Sequence, residues 1–279
     1  MLSKRPGDLP NFDNPPVIKT VLSAQFEPLP QLRTAHLGLL WDKYRDGGFT
    51  LTKERPPLDH TIEEFPEMPR ARRGLQLQTL EDPPVPRLWF VTAQGNELIQ
   101  VQADRFIKNW RKEGRGEKYP RYEHVKASFK RDFDIFQMFL GEKQLGSPRI
   151  NQCEVTYVNH ILAGEGWAAF SDFEKVFSIW KSPSVEIPGA MEDLRLHARY
   201  PIPDVDEKPI GRLHVDIQPA FRTSDNTPMY VFQLTARGRL GEGFDFFDLA
   251  REWIVRTFAA LTTPTMHSIW KRTDDNGHS

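Results

Sequence analysis

One cysteine, Cys153, is the entire thiol content of the 279 residues. That scarcity excludes an intrachain disulfide framework and any cysteine-cluster zinc site, and it fits a reducing compartment, so a cytoplasmic protein is expected. Long apolar runs are missing too. None reaches transmembrane length, and the opening MLSKRPGDLPNFDNPP has basic residues without a following apolar stretch of signal-peptide length. No membrane partner is expected. Excess charge of either sign is also absent: 37 Lys plus Arg face 38 Asp plus Glu, for a net charge of -1. No global field therefore draws the chain to nucleic acid or an anionic surface, and any such binding needs a local patch. There is no phosphate loop ending in Gly-Lys-Ser, no Gly-x-Ser-x-Gly elbow and no His-Glu-x-x-His helix. Nothing here implies a cofactor or a resident metal.

What is present is the composition of a folded, loop-bearing protein, with 39% hydrophobic residues, 27% charged residues and 23 prolines. The length suits one large domain or two closely joined halves. In Val17 to Phe26, the residues Ile18, Thr20, Leu22, Ala24 and Phe26 fall on one face, and Lys19, Val21, Ser23 and Gln25 on the other. This is the alternation of a half-buried strand, and Pro28 and Pro30 end it. Leu37, Leu40, Trp41 and Tyr44 then follow helical spacing until Gly47-Gly48. Further strands are expected over Phe49 to Lys53, Leu75 to Leu80, Leu88 to Thr92 and Leu98 to Phe106. A long proline-bearing connection over 54–73 has the character of a covering loop. Tyr122, Val125, Phe129, Phe133 and Phe136 then step as a long core-facing helix.

The order repeats from Ile150. A strand over Cys153 to Ile161 precedes a capping-box spacing at Ser171 to Glu174 and a short helix carrying Phe173, Val176, Phe177 and Trp180. Three alternating segments follow, at Leu194 to Tyr200, Leu213 to Phe221 and Met229 to Ala236. Phe247, Ala250, Ile254, Phe258 and Leu261 close with the steps of the first long helix. The expected fold class is α+β, a duplicated unit of strand, helix, antiparallel meander and helix. Such a unit resembles the halves of TATA-binding-protein-like and helix-grip folds, and the resemblance implies a curved antiparallel sheet around a long C-terminal helix. The expected boundaries are an extended tail over 1–13, halves over 14–146 and 147–272, and a C-terminal tail over 273–279.

Two terminal motifs carry a family resemblance. Asn14-Pro15-Pro16-Val17 with Gln25-Phe26-Glu27-Pro28-Leu29, and the closing Phe258 to Trp270 (FAALTTPTMHSIW), are similar to the ends of an uncharacterised, sporadically distributed bacterial protein family. The resemblance implies no activity, cofactor or catalytic residue. Physically, Thr263 can cap a short helix with Pro264 in its first position, leaving Met266 and Trp270 on one face as a packing latch.

Three groups of polar residues are candidate sites. On the second-half strands, Arg195, His197 and Arg199 share one face and His214 and Asp216 another, and pairing of the two strands would align them. A His-x-Asp pair suits metal ligation or a base with its orienting carboxylate, and arginines suit an anionic ligand; His197, His214 and Asp216 are the residues of an enzyme alternative, a hydrolase or metal-dependent enzyme. His160 is the residue weighed as a third ligand. In the first half, Gln25, Gln76, Gln78, Gln100 and Gln102 present amides, which both donate and accept but have no pKa for acid-base work, and so favour binding of a ligand or peptide edge over catalysis. A plain solvated sheet face is the simpler account of either group. Third, Arg111, Lys112 and Arg115 with Trp110 stand in a basic-aromatic run over 105–122 suited to phosphates and bases. The function expected is non-catalytic binding, with a protein partner first, then a small ligand in a sheet-helix cavity, then nucleic acid.

Overall fold

The computed structural model describes residues 9–65, 85–114, 116–181, 187–189, 191–241 and 243–273. Leu75 to Leu80, Gln76, Gln78 and Arg115 lie outside the described residues. Nine strands are present among the described residues: β1 (Val17–Phe26), β2 (Leu51–Arg55), β3 (Arg87–Val91), β4 (Glu97–Gln102), β5 (Arg105–Arg111), β6 (Ile150–Leu162), β7 (Leu196–Pro203), β8 (Pro209–Phe221) and β9 (Pro228–Gly238). The helices are α1 (Thr34–Arg45), α2 (Tyr122–Glu142), α3 (Phe173–Val176), α4 (Phe246–Leu261) and α5 (Pro264–Ile269). All nine strands belong to one antiparallel sheet in the order β2-β3-β4-β5-β1-β6-β9-β8-β7. The chain is thus an α+β protein, and the central pair β1 and β6 joins the strands of its first and second stretches.

Alternation along β1 decides the layering. Leu22, Ala24 and Phe26 are fully buried on the helix side, where Phe26 and Phe106 meet Phe136 of α2. Phe129 of α2 meets Phe247 of α4 edge to face at 5.0 Å, so the aromatic stripes of the two long helices share one core. Opposite α4, Gly211 and Gly238 are register partners, and a Cβ on either would collide with the Phe246 ring. Glycine there lets the helix start sit directly on the sheet.

The two terminal motifs meet in space. Thr263 Oγ1 accepts from the Met266 amide and Pro264 fills the first turn of α5, burying Met266 and Trp270. Trp270 packs on Phe258 at 5.1 Å, and its carbonyl accepts from the Asn14 amide at 3.1 Å. Phe12 is buried edge-on against Phe258 and bridges to Arg272, although the sequence places it in an extended tail.

Three local expectations differ. Leu98 to Phe106 is two strands of a hairpin, because Ala103-Asp104 turns the chain and lends its carbonyls to the Leu29 and Phe26 amides. That turn has no glycine or proline to mark it. The short helix ends at Val176 and does not reach Trp180, since Phe177 becomes extended and bridges Thr262. The expected capping box is replaced by Asp172, whose carboxylate accepts from the Ala168 and Ala169 amides.

Candidate functional site: a peptide strap on the helix-free face

On the sheet face away from the helices, register places Gln102, Arg105, Gln25 and Gln152 in one row across β4, β5, β1 and β6. Buried polar side chains on an outer sheet face need a cover, and one is present. Residues 56–65 follow β2 and cross successive strands along this row. Gln102 accepts from the Leu58 amide at 2.9 Å and donates to the Leu58 carbonyl at 3.0 Å. Gln25 does the same to Thr61, donating at 2.9 Å and accepting at 3.2 Å. Gln152 donates to the Thr61 carbonyl at 2.5 Å and accepts from the Glu63 amide at 2.8 Å. Each glutamine presents one donor and one acceptor to an extended backbone, as a neighbouring strand would.

The spacing has a physical origin. The three residue steps from Leu58 to Thr61 cover about 10 Å when extended, and β4 to β1 is two strand spacings of about 4.8 Å each. An extended chain crossing the sheet therefore meets each glutamine in step. Between the clamps, Arg105 donates to the Asp59 carbonyl at 2.9 Å and also to Gln25 Oε1. Burial pulls the Arg105 guanidinium down, against the opposing charges of Glu154 and Asp104. His60 Nδ1 lies 2.8 Å from the Asp104 carboxylate, which also accepts from Gln102 at 2.6 Å.

At its far end the strap inserts Glu63 into a basic pocket. Arg212 donates to Glu63 Oε2, His214 Nε2 lies 2.7 Å from Oε1, and Arg237 reaches Oε1 at 3.4 Å. The Glu63 side chain is only 7% exposed. Burial acts to raise its pKa, but the His214 hydrogen bond and the charges of His214, Arg237 and Arg212 outweigh it, so the carboxyl is held below its ordinary value. Arg237 is shared with Glu154 at 2.7 Å, and the Arg212 guanidinium lies over the Phe65 ring at 4.5 Å.

The expected site residues divide accordingly. Gln25 and Gln102 belong to the clamp row, whereas Gln100 donates to Asn109 at 2.8 Å and does not touch the strap. β7 and β8 do pair as expected, setting His197 against Asp216 and Arg199 against His214. His197 Nδ1 is 2.6 Å from Asp216 Oδ1, yet both side chains are more than 40% exposed, and His214 is engaged by Glu63. Arg195 precedes β7 and is exposed, as is Arg199. His160 is four residues beyond Thr156, the β6 residue in the His214 row, and burial lowers its pKa. Among the described residues no three His, Cys, Asp or Glu side chains are grouped to hold a metal ion.

The basic run does not form one surface. Trp110 is buried, which closes it to base stacking. Lys108 points into the core between Asp132 and Glu97, each at 2.6 Å. Arg111 pairs with Glu113 and the Gly95 carbonyl, and Lys112 is exposed beyond it. Strand alternation sends neighbouring basic residues to opposite faces. Residues missed in the sequence are Gln152, Glu63, Arg212 and Arg237. The alternation of Thr61, Glu63 and Phe65 is the one local signal that could have marked the strap.

On the helix side, Phe12, Tyr119, Tyr157, Asn159, Arg251 and Ile254 help line a cavity of about 100 Å³. Tyr119 and Tyr157 share a hydroxyl hydrogen bond of 2.8 Å, and burial raises the pKa of both. Asn159 donates to the Phe232 carbonyl at 3.0 Å, while its Oδ1 has no partner among the described residues.

Fold and site together define a class: an α+β protein with helices on one face of a large antiparallel sheet and an extended segment of its own chain on the other. No protein-family model matches the chain, and no curated protein does. Among solved structures, the duplicated taurocyamine kinase from Schistosoma mansoni with bound transition state analog components is similar at a TM-score of 0.34 and 14% identity. The match covers 88% of this chain and 32% of that one, so the chain spans about a third of that structure's length. A likeness at this level carries no argument about fold or activity. No helix among the described residues is long and apolar enough to cross a membrane.

Proposed function

We propose that this chain is a non-catalytic binding protein whose helix-free sheet face holds an extended segment of a partner protein. The observation that carries the reading is the row of glutamines, Gln102, Gln25 and Gln152, each satisfied by the backbone of an extended peptide. Such contacts read backbone and not side chains, which is the chemistry of strand-like peptide recognition. The same proposal includes a cytoplasmic location, membership of the bacterial family with the two terminal motifs, and a duplicated unit with TATA-binding-protein-like or helix-grip-like halves. What supports the duplication is that strand order outward from the centre runs β1-β5-β4-β3 on one side, with β2 as an additional edge strand, and β6-β9-β8-β7 on the other. Selection of displayed random peptides on the full chain tests the binding reading. Enriched peptides should lose binding to a Gln25→Ala, Gln152→Ala variant; no enrichment, or binding indifferent to both changes, refutes it.

A second reading is a small ligand in the helix-side cavity. It is favoured by the unpartnered, buried Asn159 Oδ1 on a wall that mixes aromatic side chains with Arg121, Glu123 and Arg251, which suits a compact molecule with at least one donor. Ligand-observed nuclear magnetic resonance with a fragment set tests it; hits that persist in an Asn159→Leu variant would remove it.

A further inference from the structure

Resting on the peptide-binding reading, we infer that the face is selective for acidic extended peptides of the pattern Glu-x-aromatic, and that residues 58–65 occupy it as an internal competitor. The glutamine clamps are indifferent to sequence, so selectivity must come from where a side chain is enclosed. Only one strap side chain is enclosed by charge. Glu63 uses both carboxylate oxygens, Oε2 towards Arg212 and Oε1 towards His214 and Arg237. A glutamine there would turn an amide donor towards groups that are themselves donors. Phe65, two residues on, lies under the Arg212 guanidinium, so the pocket also reads an aromatic side chain at that spacing.

Period two completes the pattern. Glu63 and Phe65 meet Arg212, while Ile62 and Glu64 are exposed. Those outward positions impose nothing on a ligand. Removing the strap leaves Arg212 and His214 without the carboxylate they share, since among the described residues Arg237 alone of the three has Glu154 as a second acid. An incoming glutamate replaces the lost acid directly. The strap is tethered a few residues from β2, so it competes at a high effective concentration, and a free peptide meets an already filled face. Loosening the strap should therefore raise affinity for a peptide in trans without altering the face.

The test uses a fluorescent nine-residue peptide, PLDHTIEEF (Pro57 to Phe65), and anisotropy with three full-length proteins: the wild type, a Thr61→Pro, Glu63→Ala variant, and that variant with Arg212→Ala. Thr61→Pro removes the amide that Gln25 accepts from, and both changes lie on the strap, so the face remains intact. A thermal melt confirms folding, and Glu63→Ala alone serves as the milder second variant. The opened variant should bind at least about tenfold tighter than the wild type. Adding Arg212→Ala, or replacing the first glutamate of the peptide by glutamine, should lose roughly tenfold or more. No gain on opening overturns internal competition, and equal binding of the glutamine peptide overturns acid selectivity. If both peptides bind the opened chain and both need Gln25 and Gln152, the general peptide-binding reading stands without its acidic preference. If neither binds and displayed peptides give no enrichment, both readings fall.

Discussion

Replacing Gln25 by alanine probes whether the strap is one cooperative unit. The amide of Gln25 makes two hydrogen bonds to Thr61, one in each direction. Neutral hydrogen bonds contribute about 1 kcal/mol each, so the loss is about 2 kcal/mol, or roughly a thirtyfold rise in the open fraction of the strap. Thr61 loses its own bond and so is an uninformative reporter. The informative amides are Leu58 and Glu63, which are held by Gln102 and Gln152 and do not touch Gln25. Native-state hydrogen exchange should show both accelerating by roughly the same thirtyfold factor, because a segment clamped along one row opens as a whole. Amides in the centre of β1 should keep the protection set by global unfolding. Unchanged exchange at Leu58 and Glu63 would show that the clamps act separately, and uniform acceleration across the sheet would show that Gln25 supports the core and not the strap.

Three other outcomes follow from the geometry. The Glu63 carboxyl is held below its ordinary value of 4.5 when docked, so its share of docking is fully present above about that pH and is lost as the pH falls through the lowered value; strap exchange should rise in acid, and a Glu63→Gln variant should lack that step. Lys108 and Asp132 form an ion pair whose side chains are 2% and 3% exposed. Asp132→Ala strands a buried cation with Glu97 alone and should cost about 3–5 kcal/mol in urea unfolding, whereas Lys108→Met with Asp132→Leu should recover most of it; a single-variant cost near zero would refute the pairing. Burial pushes the Cys153 thiol up to about 12, so a thiol reagent at neutral pH should label it only after denaturant unfolds the chain, and rapid native labelling would contradict its buried placement.

Much of the scaffold was legible because local alternation reports burial directly. Val17 to Phe26 and the stripes on α2 and α4 each state which side chains turn inward. The glutamine face was legible for the same reason, since Gln25 and Gln102 must oppose Phe26 and Val101 on their strands. The basic run is legible as charge but not as a surface, because β5 takes in only its first part, where Lys108 turns inward and Arg111 outward.

By itself, then, the sequence determined much of the succession of strands and helices, the faces of the long helices and the cap of the closing helix, all of which depend on neighbours within a few positions. Tertiary structure alone decided what lies on the polar face. Glu63 meets His214 across 151 positions of chain, and Gln25 meets Thr61 across 36. No periodicity encodes such partners: they depend on strand order, on register, and on a loop whose extended length matches the spacing of the strands beneath it.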